Sequence, residues 1–187
     1  DFIREKSPKL AIGAAYSYNV GASNMVGEGH NDFQMYDKEG AADYPDYRKL
    51  SADLLFKWNG FSLLAEYVNA TANGLNGLYV EKDEGAKLKP RQIANYLALG
   101  NGLNVQAGYL FRKLWALDVA YSKVNPEWKE TGQSVLREAD NITFGASKYF
   151  NNNTFKLQLA GSYTSYNQLV GAGSKEFQVK LNLHILF

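Results

Sequence analysis

Cysteine is absent from this sequence of 187 residues, and positive and negative charges nearly balance. Without cysteine, the chain can form neither a disulfide framework nor a metal site with thiolate ligands. The formal net charge of +1 gives no overall field that would attract nucleic acid or an acidic partner. The function must therefore be sought in the pattern of residues along the chain.

Long hydrophobic runs are also absent, and the mean hydropathy is −0.36. No stretch approaches the ~20 apolar residues that a membrane-spanning helix needs, which argues against a helical membrane protein. A barrel strand crosses a membrane with ~10 residues of which every second one is apolar, so a low mean hydropathy is compatible with a barrel. Residues 1–6 show no signal peptide, so we expect either a mature protein or a piece of a longer one.

Regular alternation of apolar and polar residues is what the sequence has in place of these features. Residues 177–187 alternate throughout, and the chain ends on the aromatic Phe187. Successive side chains of a strand point to opposite faces, so this pattern predicts a strand with one apolar face. An inner strand of a soluble sandwich alternates in the same way. In an outer-membrane barrel the closing strand places its aromatic at the membrane interface.

The alternation recurs in eight segments, which are separated by connections of alternating length. Asn59-Gly60 is a strong signal for a two-residue hairpin, because a type I′ turn needs positive φ at both positions. Arg112-Lys113 and residues 151–153 predict two more short turns, whereas residues 21–45, 71–92 and 124–139 predict longer loops, and a loop around residues 171–173 leads to the last strand. The strands are predicted at residues 10–20, 48–58, 61–68, 103–111, 115–122, 142–150, 155–164 and 177–187.

This sorting of connections indicates a membrane barrel. All the short turns fall at one end of the strands and the long loops at the other, as in transmembrane barrels with an even strand number. A soluble sandwich has no reason to sort its loops in this way. We therefore predict an all-β protein with one domain, residues 1–187. It is a transmembrane antiparallel up-and-down β-barrel, integral to a bacterial outer membrane and in contact with its lipid.

Aromatic residues on the apolar side of the strands concentrate at the strand ends. Ordinary β-propensity enriches aromatic residues in strands but does not predict this concentration. Lipid–water interfaces do predict it, because aromatic side chains form girdles there. Tyrosines lie toward the long loops. The girdle at the short turns is predicted to contain Trp58, Phe61, Phe111, Trp115, Phe150, Phe155 and Phe187.

The polar sides of the strands are expected to line the lumen of the barrel and to tune its selectivity. Lysines slightly outnumber acids there, which gives the hypothesis of a preference for small anions. The alternative is a solvated wall of lysine–acid pairs with no preference. The predicted lumen-facing residues are Lys49, Asp53, Lys57, Glu66, Lys156 and Lys180, together with Asn104, Gln106, Asp118, Gln158, Asn182 and His184.

Two runs in the middle of the chain, residues 59–67 (NGFSLLAEY) and residues 105–111 (VQAGYLF), carry a resemblance to a known family. With residues 8–16 and the closing Phe187, they resemble the C-terminal half of the phosphate-selective porin O/P family. The resemblance implies a barrel of about sixteen strands whose first half precedes Asp1, often assembled as a trimer. It also implies a water-filled channel for passive diffusion of small hydrophilic, phosphate-like solutes. The lysine-rich constriction of the family belongs to its N-terminal half, so no phosphate site is carried over.

Two other classes of function follow from the residues. A complete eight-stranded barrel has an interior just wide enough for side chains, so it would act as a structural or docking subunit of an outer-membrane assembly. An enzyme needs a nucleophile, a base and a group that orients the base. The sequence offers two histidines, His30 and His184, which are predicted at opposite ends of the strands. We therefore expect no enzymatic activity and no cofactor. We expect no metal either, because the acidic residues between Asp32 and Asp46 match no calcium loop.

Overall fold

The computed structural model describes residues 3–22, 35–80, 87–129, 134–150, 154–166 and 175–185. These residues form eight strands, a 3-10 turn at Leu75–Gly77 and the helix α1 (Pro90–Tyr96). Among them, no helix has the length and apolar character needed to cross a membrane. The strands are β1 (Lys9–Asn19), β2 (Tyr47–Trp58), β3 (Phe61–Ala72), β4 (Gly100–Leu110), β5 (Trp115–Pro126), β6 (Ala139–Phe150), β7 (Phe155–Tyr166) and β8 (Lys175–Ile185).

All eight strands belong to one antiparallel sheet, in which each strand pairs with its neighbours in the sequence. The predicted all-β, up-and-down order is therefore confirmed. Several predicted boundaries were wrong at the ends that join the long loops. β3 continues to Ala72, β5 continues to Pro126, and β4 begins at Gly100. These strand ends are rich in Gly, Asn and Ala, so the apolar alternation fades there although the hydrogen-bonded ladder continues.

The register separates the side chains of the whole sheet into two faces. On the apolar face, Leu54 lies between Ile12 and Ala65, and Val119 lies between Ala107 and Phe144. The polar face carries the alternate residues of every strand. The apolar face is widely exposed in this chain, with Phe144 at 61%. Because a slip of one residue would exchange the two faces, the pairing and the hydrophobic pattern specify the same arrangement.

The first and last strands form the two edges of the sheet. Among the described residues, β1 pairs with β2 alone and β8 pairs with β7 alone. Every residue of β8 is exposed, on the apolar face and on the polar face alike. Closure of the sheet into a barrel, and the number of strands in that barrel, therefore remain predictions.

Two of the predicted short turns lie within the described residues. Asn59 and Gly60 have φ angles of 46° and 93°, which confirms a hairpin turn with positive φ at both positions. At Arg112-Lys113 the turn spans Phe111 to Leu114, and the Leu114 N–H donates to the Phe111 carbonyl over 3.0 Å. The turn predicted at residues 151–153 and the loop around residues 171–173 lie outside the described residues.

The long loops after β1 and β3 fold together at one end of the sheet. Tyr36 and Tyr79 exchange two backbone hydrogen bonds of 3.0 and 2.8 Å, and the Leu88 N–H donates to the Leu78 carbonyl over 2.9 Å. These contacts enclose a small hydrophobic cluster, which we call the loop core: Met35, Leu78, Leu88, Ile93, Leu97 and Leu99. The sequence predicted plain loops here, so the loop core is a feature that sequence reasoning missed.

The helix α1 contributes Ile93 to the loop core, and its first turn explains why it forms. Pro90 occupies the first helical position, where its fixed φ suits the helix and its missing N–H is not needed. The Gln92 side-chain oxygen accepts a hydrogen bond of 3.0 Å from the Lys89 N–H. The helix is too short to show a helical period in the sequence, which is why residues up to 92 were predicted as a loop.

Replacing Gly60 by alanine is expected to destabilise the sheet. An alanine at a positive φ of 93° costs about 1–2 kcal/mol. In addition, its methyl group would lie 2.6 Å from the Leu110 carbonyl oxygen. Gly74→Ala is the matched control, because Gly74 also has positive φ (72°) but has nothing within 4 Å. Urea unfolding followed by tryptophan fluorescence should show a larger loss for Gly60→Ala. Equal losses would contradict the close contact at this turn.

Candidate functional site

The six charged residues predicted to face the lumen all lie on the polar face, according to the register. Lys49, Asp53 and Lys57 come from β2 and lie opposite Ser17, Gly13 and Lys9 of β1. In the other strands, Glu66 lies opposite Asp53, Lys156 opposite Tyr149 and Lys180 opposite Ala160. Whether this face lines a lumen is a prediction that the fold alone does not test.

Two carboxylates of this face lie flat against the sheet, each above a glycine of the neighbouring strand. A methyl group added at Gly13 would lie 2.5 Å from Asp53 Oδ1. One added at Gly108 would lie 2.3 Å from Asp118 Oδ1. Because no other residue leaves this space, the two glycines set the position of the two carboxylates above the sheet.

A third carboxylate, that of Glu66, is held by a neighbouring amide. Asp53 and Glu66 are directly opposite each other in the ladder, where like charges destabilise a sheet. On the other side of Glu66, the Asn104 side-chain amide donates a hydrogen bond of 2.9 Å to Glu66 Oε2. This donor and the glycine beneath Asp53 allow two adjacent acids to remain on one face.

Small residues around Asp118 open a hollow in the polar face. In the register, Asp118 has Gly108 on one side and Gly145 on the other, and Ala160 follows Gly145. The hollow has a volume of about 430 Å³. We call it the Asp118 hollow; its polar lining comes from Lys57, Ser62, Gln106, Asp118, Thr143, Tyr149, Lys156 and Gln158.

The hollow brings together two cations and an anion from three strands, β2, β5 and β7. Lys57 and Lys156 lie on either side of Asp118, and the Lys156 ammonium lies 5.4 Å from the centre of the Tyr149 ring. Of the four lysines predicted to face the lumen, these two line the hollow, whereas Lys49 and Lys180 do not. Such an arrangement can bind a small solute through ion pairing and hydrogen bonds. The sequence predicted the charged residues of the hollow. It did not predict the glycines that form its floor, because the register of the strands is needed to place them beside Asp118.

The aromatic residues predicted for the girdle lie on the apolar face at the short turns, as far as they are described. Trp58 pairs with Phe61, and Phe155 pairs with Phe150 with ring centres 5.0 Å apart. Trp115 is 50% exposed. Phe187 lies outside the described residues. Their contact with lipid stays a prediction.

At the other end of the strands, tyrosines on the apolar face donate hydrogen bonds to aspartates. Tyr121 donates to Asp140 over 2.6 Å, and Tyr18 donates to Asp46, whose second oxygen accepts from the Gly21 N–H over 3.2 Å. The Tyr18 hydroxyl and the Gly21 N–H lower the pKa of Asp46, because both stabilise its charged form. Asp46 therefore fastens the chain that enters β2 to the end of β1.

The loop core lies on the polar side of this same end. Tyr47 and Ala72 are opposite each other on the polar face, and both pack against the loop core. The Tyr47 hydroxyl donates to the Ala98 carbonyl over 3.2 Å. The loop core therefore packs against one end of the polar face.

The histidines predicted to lie far apart are described in part. His184 lies on the polar face opposite Lys156, whereas His30 falls outside the described residues. Within the part of the chain that is described, no three side chains of His, Asp or Glu are grouped to hold a metal ion. The expectation of no enzymatic activity stays a prediction.

Comparisons of this chain with protein-family models, with curated proteins and with solved structures give no match.

Truncation of Leu78 is expected to loosen the loop core alone. Leu78 is 1% exposed, and a buried Leu→Ala change costs ~2–5 kcal/mol through lost burial and the cavity left behind. Hydrogen exchange should quicken in residues 87–99, with β6 and β7 unchanged. Leu136→Ala, at a position that is 38% exposed, should change neither. Faster exchange throughout the sheet would contradict a separate loop core.

Acid is expected to weaken the attachment of Asp46 to β1. Because the folded state lowers the pKa of this carboxyl from 3.8, the attachment stabilises the protein above that pH. This contribution is lost as the pH falls through the lowered value. Asp46→Asn should therefore flatten the acid side of a stability–pH curve. Asp43→Asn, which removes a charge from the same loop, is the control, and its stability should fall more steeply with acid than that of Asp46→Asn. Equal slopes for the two variants would contradict this role of Asp46.

Proposed function

We propose that this chain forms part of the wall of an outer-membrane porin, a water-filled channel for passive diffusion of small hydrophilic solutes. The observation that carries the proposal is a single sheet with one continuous apolar face and one charged face. A soluble monomer rarely leaves such an apolar surface exposed. The hydrocarbon of a bilayer would cover this apolar face, because barrel strands direct apolar residues outward to lipid and polar residues toward an aqueous interior.

The proposed barrel has more strands than this chain supplies. Both edge strands are exposed on both faces, and unpaired backbone groups in hydrocarbon cost several kcal/mol each. Closing eight strands on themselves would leave room for little more than side chains. Pairing the two edges with further strands, to about sixteen in all, would give a water-filled lumen. Assembly as a homotrimer or within a larger outer-membrane complex belongs to the same proposal.

The proposed selectivity is a modest preference for anions. Lysines slightly outnumber carboxylates on the polar face, and fixed cations lower the barrier that small anions meet. Two lysines but a single carboxylate lie in the Asp118 hollow. The lysines of the polar face are Lys9, Lys49, Lys57, Lys156 and Lys180, and its acids are Asp53, Glu66, Asp118 and Glu176.

Two measurements on the native protein test the size of the barrel. The intact mass of the protein taken from its membrane is expected to be well above the 20.9 kDa of this chain. In planar lipid bilayers, the same preparation should give stepwise conductance. A mass equal to this chain without conductance would overturn the channel and favour a narrow barrel that serves as a docking subunit.

Two substitutions at the Asp118 hollow are expected to move the selectivity in opposite directions. Asp118→Asn removes a negative charge from the wall, so the reversal potential across a salt gradient should move toward anions. Gly108→Ala places a methyl group 2.3 Å from Asp118 Oδ1, which forces the carboxylate out of its place above the sheet. We expect the displaced carboxylate to reach farther into the lumen and to move the reversal potential toward cations.

Gly102→Ala is the matched control for this pair of variants. Gly102 lies in the same strand and on the same face, and the nearest atom to an added methyl group there would be the Lys123 carbonyl oxygen at 3.8 Å. The control should conduct with the wild-type reversal potential. If all three variants conduct identically, the hollow does not face the path of the ions.

A further inference from the structure

Cations cluster among exposed aromatic rings at the short-turn end of the apolar face. A cavity of about 540 Å³ opens there. Three of its lining side chains are cationic and three are aromatic. We call it the basic aromatic pocket, and these residues are Arg4, Arg112, Lys113, Tyr109, Phe111 and Trp115.

Arg4 is fixed in this pocket by contacts with two segments of the chain, the turn at Asn59-Gly60 and the end of β4. Its guanidinium donates to the Leu110 carbonyl and, over 2.9 Å, to the Asn59 carbonyl. The same group lies 5.7 Å from the centre of the Tyr109 ring. Gly60 makes room for it, since a methyl group there would lie 2.6 Å from Arg4 Nη1. The carbonyl acceptors carry no formal charge, so they orient the cation without neutralising it.

A fourth cation, Lys148, lies beside the pocket. Its position interrupts the apolar alternation of β6. The Lys148 ammonium lies 5.0 Å from the centre of the Trp115 ring and donates to the Lys113 carbonyl over 2.8 Å. The stem of the side chain therefore runs along apolar surface while its charge reaches the turn, as expected for a lysine at an interface. Among the described residues, none of the four cations has a carboxylate partner.

The cations at the other end of the apolar face have acidic neighbours. Lys123 lies 3.4 Å from Asp140 in an ion pair. Arg48 lies 5.5 Å from the centre of the Tyr18 ring, and the Tyr18 hydroxyl donates to Asp46. Unneutralised positive charge among exposed rings is thus a property of the short-turn end.

We propose that the basic aromatic pocket binds the phosphate of an anionic phospholipid in the leaflet at the short-turn end. This inference rests on the proposed membrane function. Arg112 offers a planar group of donors that matches phosphate oxygens, Arg4 adds the donors that its carbonyl acceptors leave free, and Lys113 and Lys148 add charge. Tyr109, Phe111 and Trp115 then contact the glycerol backbone and the first acyl carbons, the depth at which aromatic rings are enriched.

A phospholipid accounts for both the cations and the aromatic rings of the pocket, whereas a free phosphate accounts for the cations alone. Phe111 is 44% exposed and Trp115 50%, and their rings face the same space as the cations. Inorganic phosphate would contact the cations and leave these rings in water. A phospholipid presents a phosphate and an apolar chain within one molecule, so it is complementary to both.

The test uses the full chain in phosphatidylcholine vesicles that contain a fixed fraction of brominated lipid, whose bromine quenches nearby tryptophan. Brominated phosphatidylglycerol should quench the protein more than brominated phosphatidylcholine does at the same fraction. In the double variant Arg112→Gln, Lys113→Gln this difference should disappear. Arg112→Lys with Lys113→Arg keeps both charges and should retain it. Lys123→Gln, at the opposite end, is the matched control and should also retain it.

The outcomes separate this inference from the proposed function. Equal quenching by the two lipids in the wild type would overturn the headgroup site and leave membrane contact standing. No quenching by either lipid would overturn both, because the apolar face would then not touch lipid. Loss of the difference on adding millimolar inorganic phosphate would show a simple anion site and overturn the lipid. Persistence of the difference in the double variant would place the lipid elsewhere on the protein.

Discussion

The register of the strands is the constraint on which the rest of this structure depends. Each of the seven pairings places like side chains side by side, from Ile12 and Leu54 at one edge to Leu159 and Leu181 at the other. A slip of one residue at any pairing would turn the apolar side chains of a strand to the polar face and its polar side chains to the apolar face. The glycines beneath Asp53 and Asp118 tighten the constraint, since a slip of one or two residues would replace each glycine with a residue that has a side chain.

The sequence was sufficient for features that depend on neighbours along the chain. Alternation located the strands, and the Asn59-Gly60 turn followed from the φ angles that it needs. Features that join distant residues were not readable. Met35, Leu78 and Ile93 meet through pairing between two loops, and each comes from an apolar stretch too short to predict a core. The floor of the Asp118 hollow combines three strands, so its glycines had no meaning until the register was known.

The two faces and the two ends of the sheet divide the proposed roles among them. The polar face provides charge of both signs, held at fixed places by the backbone beneath. The apolar face, which we propose contacts lipid, has tyrosine–aspartate pairs at one end and unneutralised cations at the other. In the proposed membrane setting, this difference between the ends would give the sheet an orientation, because lipid headgroups would meet different chemistry on the two sides of the membrane. In the proposed barrel, the exposed edges of β1 and β8 would pair with further strands.

The loop core gives the chain a second kind of stability. Its six apolar side chains are enclosed by loop backbone and by the end of the sheet, so water is the solvent against which their burial is favourable. Strands in a bilayer would obey a different rule, since hydrocarbon offers apolar residues no such driving force. The stability of one polypeptide would then depend on two solvents, water around the loop core and hydrocarbon around the strands. Cooling weakens hydrophobic burial and would loosen the loop core, while a change of lipid would act on the strands and leave the loop core intact.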